Sequence, residues 1–376
     1  MFRLAWSAWC VLYLVLCYAT LGGTRTYPGD ELHFLQTSAA FARGPLTLEF
    51  LRTYPEMSGP LPFLYCGWWG QWFGMDLATM RIGAAVVAFA ALLLLHEWLC
   101  IALSTPVLAL AAGLYLCLNP YIAAMSVMVY TDMFSLGLLC AALLGSARGS
   151  AVGMALPLAA ALLSRQYLVF LVPALFLHHW HTRQRTMAWA AVAAVLPLAA
   201  LAVLWKGLAP DSGMRGVYVT GSLRFQFTAL VGYVAALFVY LAPPLLWRWR
   251  AWVGWPAGVL LYALFPLRPS APTLQHGFTT MGLLDRALHF LFPEQWTRDI
   301  FYGMAFAAGV LVLRRLIPAA AARRELPALA VFSFLAVMPF SYLYWEKYLL
   351  PVLPLAAVAF VRALHVADTD TLAQRP

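Results

Sequence analysis

Charged side chains are scarce in this chain of 376 residues. Asp and Glu together number only 15, and all charged residues make up 10% of the sequence, against about 25% in an average soluble domain. Hydrophobic residues make up 63%. A chain this apolar cannot cover a globule with polar groups, which excludes an ordinary soluble protein. Its many separate apolar runs predict a polytopic membrane protein.

Several functional patterns are missing as well. The sequence has no Walker motif, no glycine-rich dinucleotide fingerprint, no C-x-x-C pair, no heptads and no convincing internal repeat. Of its six cysteines, only Cys66 lies outside the predicted spans, so no disulfide framework is indicated. These absences exclude the nucleotide-binding, dithiol and coiled-coil classes that such patterns mark.

The apolar runs have the character of helices, and none shows the alternation of a barrel strand. The predicted fold is an all-α polytopic membrane protein with about 11–12 transmembrane helices in one domain, residues 1–376. Residues 150–180 are predicted as two short helices that break at "SRQ" (164–166). Long outer loops are expected at 23–77, 206–225 and 267–299. The predicted helices are residues 4–22, 78–95, 99–117, 131–146, 150–163, 167–180, 187–205, 226–245, 252–266, 300–317, 327–343 and 348–363.

Arginines in the short loops predict the orientation. With both termini in the cytoplasm, one face receives a series of arginines and the other receives most of the acids, as the positive-inside rule requires. The first face holds Arg148, Arg183, Arg185, Arg248, Arg250, Arg314, Arg315, Arg323, Arg324 and Arg362. The net charge of +9 is therefore attributed to topology and anionic lipids, with no nucleic-acid partner. Residues 1–22 are interpreted as an uncleaved span, and a bacterial inner membrane with a periplasmic active site is expected.

The first outer loop opens with two adjacent acids in "YPGDELHF" (27–34). Asp30 and Glu31 precede a run at helical spacing that Gly44 and Pro45 stop, which predicts an amphipathic helix on the membrane surface. Asp30 has a simpler interpretation as a helix N-cap, with Glu31 favoured by the helix dipole. A cap and a catalytic base are compatible, because capping would fix the carboxylate.

Three further polar positions interrupt apolar sequence. Asp132 in "YTDMF" opens a predicted span, and it has the N-cap as its alternative. Arg165 in "SRQY" needs an anionic partner, which could be a lipid-linked phosphate or a structural ion pair. Glu346 and Lys347 in "YWEKYLLP" begin the last span, where interfacial anchoring is the alternative. "HHWH" (178–181) lies in a basic inner loop, and no metal site is predicted there.

The order of these segments resembles the GT-C superfamily of integral-membrane glycosyltransferases. "DELHFLQTSAAFARG", "TYPEMSGPLPFLY", "YTDMFS", "SRQYLVF" and "EKYLLP" are most similar to the dolichyl-phosphate-glucose α-1,2-glucosyltransferases and their prokaryotic relatives. Two positions depart from that pattern. Tyr167 follows Arg165-Gln166 where the family continues with Thr-Asn, and Lys347 stands where the family carries arginine, so the acceptor and the sugar are left open.

The resemblance implies a transferase that moves a sugar from a polyprenyl-phosphate donor to a glycan or lipid-linked acceptor, in one inverting displacement. It implies Asp30 as the general base with Glu31 beside it, and Arg165 and Lys347 as ligands of the donor phosphate. His33, Asp132, Gln166 and Glu346 would contact sugar or acceptor or support the base. No cofactor is implied, although Asp30 and Asp132 would suit a divalent cation if their loops met.

Two other classes of protein remain as rivals. A transporter or lipid flippase would place ionisable residues at the bilayer midplane and often shows internal repeats. A non-catalytic membrane subunit would not need the acidic pair 30–31, Asp132 and Arg165 all on one face of the membrane. The acids of this chain gather on one predicted face, which favours the transferase.

Overall fold

The computed structural model describes residues 2–23, 29–103, 105–210, 223–241, 255–268, 274, 281–322, 324–341 and 344–373. Within these ranges the chain is helical and has no strand. Several predicted features lie outside the described residues. They are Arg248, Arg250 and Arg323, most of the loop 206–225, and residues 269–273 and 275–280 of the loop 267–299.

The helices pack into two compact units. One comprises Met1–Val172 and Thr182–Gly216, and the other comprises Pro173–His181 and Val217–Pro376. The prediction of a single domain stays a prediction.

Eleven α-helices lie within the described residues of the first unit, and α10 begins there at Leu171 but lies mostly in the second unit. In this unit α2 packs on α4, and α8 packs between α5 and α9. A π-helical turn, Tyr18–Gly22, extends α1 and a 3₁₀ turn, Gln166–Phe170, precedes α10. The α-helices are α1 Phe2–Cys17, α2 Glu31–Arg43, α3 Leu48–Thr53, α4 Leu61–Phe73, α5 Leu77–Leu103, α6 Pro106–Cys117, α7 Pro120–Met125, α8 Asp132–Ala147, α9 Ala151–Leu162, α10 Leu171–His181, α11 Arg185–Ala193 and α12 Leu196–Trp205.

The second unit contains the remaining helices of the described residues. Here α13 and α14 both pack on α16, and α17 packs on α18. Two 3₁₀ turns, Met338–Phe340 and Glu346–Leu349, lie between α17 and α18. The α-helices are α13 Leu223–Leu241, α14 Trp255–Leu264, α15 Leu283–Leu291, α16 Gln295–Ala321, α17 Leu326–Val337 and α18 Leu353–Ala373.

Length and hydropathy make this an integral membrane protein. Four segments among the described residues are long and apolar enough to cross a bilayer, namely Arg3–Gly22, Leu77–Leu103, Arg185–Trp205 and Gln295–Ala321. Six more apolar helices have 10–17 residues. The helical membrane fold predicted from the sequence is confirmed, whereas the number of spans and their orientation stay predictions.

Local structure departs from the sequence-based boundaries at α5. The sequence predicts a break near residues 96–98, yet α5 continues to Leu103 and the turn comes at Thr105-Pro106. His96 and Glu97 remain helical because both have partners on α1. The His96 ring stacks on Trp6 at 4.7 Å, and Glu97 pairs with Arg3 at 2.7 Å. Proline lacks the amide that a continuing helix needs, so the break moves to Pro106.

The predicted irregular segment 52–76 also differs from the structure, since most of it is the helix α4. α4 supports α2, which buries Phe34, Leu35 and Phe41. The ring of Phe63 on α4 lies 5.7 Å from Phe34 and 5.9 Å from Phe41. α2 is therefore held by tertiary packing as well as by any membrane contact.

Candidate active site

The start of α2 presents the Asp30 carboxylate. Gly29 has a φ of +60°, and a Cβ there would lie 2.6 Å from the Tyr130 hydroxyl. That hydroxyl accepts a hydrogen bond from the Asp30 amide at 2.9 Å. Asp30 occupies the N-cap position, but its side chain makes no capping hydrogen bond. Asp30 is thus half-buried and anchored through its amide, and its side chain is not used as a helix cap.

Glu31, the next residue, is buried in an ion pair. Its carboxylate accepts hydrogen bonds from Arg81 Nε at 2.9 Å and from Arg81 Nη2 at 2.6 Å, and neither side chain has more than 3% of its surface exposed. The Val129 amide donates to the same carboxylate at 2.9 Å. Three protein N–H groups thus donate to this carboxylate, so the geometry suits Glu31 to hold structure.

Asp132 and Arg165 form a second buried pair. Arg165 Nη2 lies 3.0 Å from Asp132 Oδ2, and Asp132 is fully buried. Asp132 is the first residue of α8, and the N-cap position of that helix falls on Thr131. Arg165 lies at the predicted break, which is confirmed: α9 ends at Leu162, Arg165 is extended, and a 3₁₀ turn follows. The buried arginine therefore has an anionic partner within the protein.

The segment 54–61 is bound against this break. The Gly59 amide donates to the Ser164 carbonyl at 3.1 Å, and Gln166 Nε2 donates to the Met57 carbonyl at 2.8 Å. A Cβ on Gly59 would lie 1.9 Å from the Leu163 carbonyl oxygen, so only glycine allows this approach of two backbones. The segments "TYPEMSGPLP" and "SRQ" consequently lie side by side.

Glu56 lies within this bound segment. It is only 7% exposed, and Thr37 Oγ1 lies 3.5 Å from its carboxyl oxygen. Burial raises the pKa of Glu56 to about 7, and the Asp30 carboxylate also raises it while Arg165 opposes the rise. Asp30 and Arg165 are thus each close enough to act electrostatically on Glu56.

The other predicted residues of the first unit lie around this cluster. His33 is exposed on α2. Gln166 is half-buried and also donates to the Leu208 carbonyl at 3.2 Å, which makes it a bridge between backbone segments. Ser135 of α8 and Ser164 share a hydrogen bond at 2.5 Å beside the Asp132–Arg165 pair.

Glu346 and Lys347 belong to the second unit. Glu346 is buried, and it accepts hydrogen bonds from the Leu284 and Asp285 amides at 2.9 and 3.0 Å and from the Tyr240 hydroxyl at 2.8 Å. Glu346 thereby caps the start of α15, and burial raises its pKa to about 7. Lys347 is also buried, with its ammonium 5.6 Å from the centre of the Trp345 ring. Buried contacts, more than interfacial anchoring, explain this pair.

Metal-ligating side chains do not gather in the described part of the chain. No group of three or more His, Cys, Asp and Glu residues there is placed to hold a metal ion. Within the "HHWH" stretch, His178 Nδ1 lies 2.8 Å from the Arg324 carbonyl oxygen.

Two residues of the cluster carried no predicted role. Arg81 interrupts the apolar run 78–95. Arg165 was noticed because a buried charge is costly, and the same cost applies to Arg81. Glu56 lies in a stretch noted for its prolines and aromatics. Because acids are scarce in this chain, the presence of a glutamate there could have marked it as a functional candidate.

No family model and no curated protein matches the sequence. Among solved structures, the fold is similar to ArnT from Cupriavidus metallidurans in the apo state, with a TM-score of 0.45 and 16% identity over 97% of this chain and 79% of that one. The same protein bound to undecaprenyl phosphate gives a TM-score of 0.41 and 16% identity over 96% and 79% of the two chains. At TM-scores below 0.5, this likeness carries no argument about the site.

Proposed function

We propose that this chain is a GT-C glycosyltransferase that moves a sugar from a polyprenyl-phosphate donor to a hydroxyl of a glycan or lipid-linked acceptor. One observation carries the proposal. Segments far apart in sequence, 29–31, 54–59, 129–132 and 163–166, meet in the first unit and place Asp30, Glu56 and Arg165 together. The support for the proposal comes from this chain's own residues.

The roles follow from the contacts. The Asp30 side chain does not cap α2, and the Tyr130 hydroxyl fixes the Asp30 amide. A carboxylate held in place in this way is suited to act as a general base. It takes the proton from the acceptor hydroxyl while that oxygen attacks the anomeric carbon opposite the phosphate. The bond between the anomeric carbon and the phosphate oxygen breaks as the new bond forms, with inversion, and the polyprenyl phosphate leaves. Arg165 supplies positive charge for the leaving phosphate.

The supporting residues are assigned by burial. Glu31 holds the start of α2 through Arg81, so its proposed role is to position the neighbouring base. Asp132 holds Arg165, and Gln166 holds the segment that carries Glu56. His33 is an exposed candidate for contact with sugar or acceptor. Four points stay predictions. They are the role of Lys347 as a second phosphate ligand, the role of Glu346 as its support, the periplasmic site and the inner-membrane location.

The experiment is a transfer assay on the purified chain with short-chain polyprenyl-phosphate sugars, comparing wild type with Asp30→Asn. We expect the substitution to lower turnover by about 10²–10⁴-fold, the usual contribution of a general base, with nearly unchanged thermal stability. Asp76→Asn is the matched control, because Asp76 Oδ1 does accept the Thr79 amide at 3.0 Å as a helix cap. Wild-type turnover in Asp30→Asn would remove Asp30 from the mechanism.

A wild-type chain that transfers none of the offered sugars, but moves labelled polyprenyl phosphates across vesicle membranes, would instead identify a transporter.

A further inference from the structure

One guanidinium holds three chain segments around the start of α2. Arg81 projects from α5 and binds the Glu31 carboxylate through Nε and Nη2, at 2.9 and 2.6 Å. Its Nη1 donates to the carbonyl of Gly22, the last residue of the π-helical turn that extends α1. Glu31 in turn accepts the amide of Val129. Arg81 and Glu31 together therefore connect the π-helical turn after α1, the start of α2 and the segment before α8 at a single buried point.

Asp30 is fixed by the same segments. Its amide donates to the hydroxyl of Tyr130, and Tyr130 follows Val129 directly. The Tyr130 ring also packs edge-on against Phe34, one turn into α2, at 5.2 Å. The adjacent residues Asp30 and Glu31 thus contact the adjacent residues Tyr130 and Val129. Any shift of Glu31 relative to Val129 would move the Asp30 carboxylate as well.

Stability alone is a poor reason for this arrangement. Removing two charges from water costs several kcal/mol per ion, and apolar residues of similar volume often stabilise a buried site equally well or better. A planar guanidinium with two parallel hydrogen bonds does something that apolar packing does not, because it fixes both distance and direction. The arrangement is suited to setting the geometry of its neighbours.

We propose that Arg81 is a positioning residue for the reaction, acting through Glu31 to align the Asp30 carboxylate with the acceptor hydroxyl. The inference rests on the proposed function, because it takes Asp30 as the base. A misplacement of about 1 Å costs on the order of 10²-fold in rate. Loosening the clamp should therefore lower kcat while leaving the binding of the donor nearly unchanged.

The experiment compares Arg81→Lys with wild type in lipid nanodiscs, using the full chain. Lysine keeps the positive charge beside Glu31 and loses the two-pronged contact. Two quantities are measured: amide hydrogen exchange of peptides covering 29–35 and 127–131, and kcat and KM with a polyprenyl-phosphate sugar. We expect faster exchange in both peptides and a kcat lowered by about 10-fold or more, with donor KM within about 3-fold of wild type.

Arg3→Lys is the matched control. Arg3 also joins α1 to α5, through Glu97 at 2.7 Å, but this pair is largely exposed. We expect exchange and kcat like those of wild type. The double variant Glu31→Gln, Arg81→Gln guards against misfolding, because it leaves no unmatched buried charge and replaces the clamp by a weaker amide contact. It should reproduce the loss of kcat.

The proposal would be overturned if Arg81→Lys left amide hydrogen exchange and kcat unchanged. It would also be overturned if the variant were less stable but its folded fraction kept the kcat of wild type. Failure of the proposed function is distinguishable from these outcomes. If wild-type protein transfers no sugar, the exchange measurement still decides whether Arg81 orders 29–35 and 127–131. Unchanged exchange there would again reject the role.

Discussion

At the scale of single residues, Glu56 combines burial with two charged neighbours of opposite sign. Burial is the main cause of its raised pKa, about 7, and the Asp30 carboxylate adds to it. A carboxyl in an unfolded chain titrates near pH 4.5. Between these values the folded protein holds a proton that the unfolded chain has released, so the two states differ in charge between about pH 4.5 and 7.

This difference predicts how stability depends on pH. Because the folded state binds more protons, the contribution of Glu56 is fully present below about pH 4.5 and is lost as the pH rises through about 7. Glu56→Gln, which cannot titrate, should lack this loss. We expect the Tm of wild type minus that of Glu56→Gln to fall steadily from pH 4.5 to 7.5, measured in detergent.

Glu49→Gln is the control for that measurement, since Glu49 is exposed and makes only a 4.0 Å contact with Arg52. Its Tm should follow wild type at every pH. A Tm difference between wild type and Glu56→Gln that does not change with pH would contradict the raised pKa. Glu346 titrates in the same range but is common to all three proteins.

At the scale of elements, the break between α9 and α10 brings Arg165 to the start of α8. The extended backbone at Arg165 interrupts the helix, and the fully buried Asp132 receives the guanidinium. Two roles for Arg165 were open from sequence, a structural pair and a phosphate ligand. The pair with Asp132 exists, and it is compatible with the second role if Arg165 also meets the donor phosphate.

A double variant separates the two roles of Arg165. Arg165→Ala should destabilise the protein by about 3–5 kcal/mol, because it leaves the Asp132 carboxylate buried without its counter-ion. Adding Asp132→Asn removes that charge and should restore much of the stability. If Arg165 binds the donor phosphate, the double variant still needs much more donor, which is measured as a raised donor KM. Recovery of stability together with a wild-type donor KM would assign Arg165 to the fold alone.

The element scale also shows how far sequence periodicity reaches. Each of the twelve predicted apolar segments contains helix, because apolar runs in lipid have to satisfy their backbone internally. The boundary after α5 was wrong by several residues, because it depends on partners of His96 and Glu97 that lie in α1. Contacts between residues so far apart in sequence cannot be read from the hydrophobic pattern of a single segment.

At the scale of the whole molecule, the distribution of arginines and acids predicts which loops face outward. We expect a membrane-impermeant maleimide, applied to spheroplasts, to label His33→Cys and Arg286→Cys and to leave Arg183→Cys unlabelled. All three positions are exposed, and the variants are made in a background without the six native cysteines. Permeabilised cells supply the control, because all three should then react. Labelling of position 183 in intact spheroplasts would reverse the assigned orientation after residues 150–180.

The sequence by itself determined the membrane class, the helical content, the break at Arg165 and the small set of polar positions where chemistry is expected, because lipid tolerates charge only where something compensates for it. Tertiary structure alone decided the partners. Glu31 meets Arg81 fifty residues away, and Asp132 meets Arg165 thirty-three residues away. Those pairings arise from the packing of α2, α5 and α8, and no periodicity within one segment encodes which segment will lie beside it. Packing also leaves Asp30 half-buried, whereas the adjacent Glu31 is fully buried.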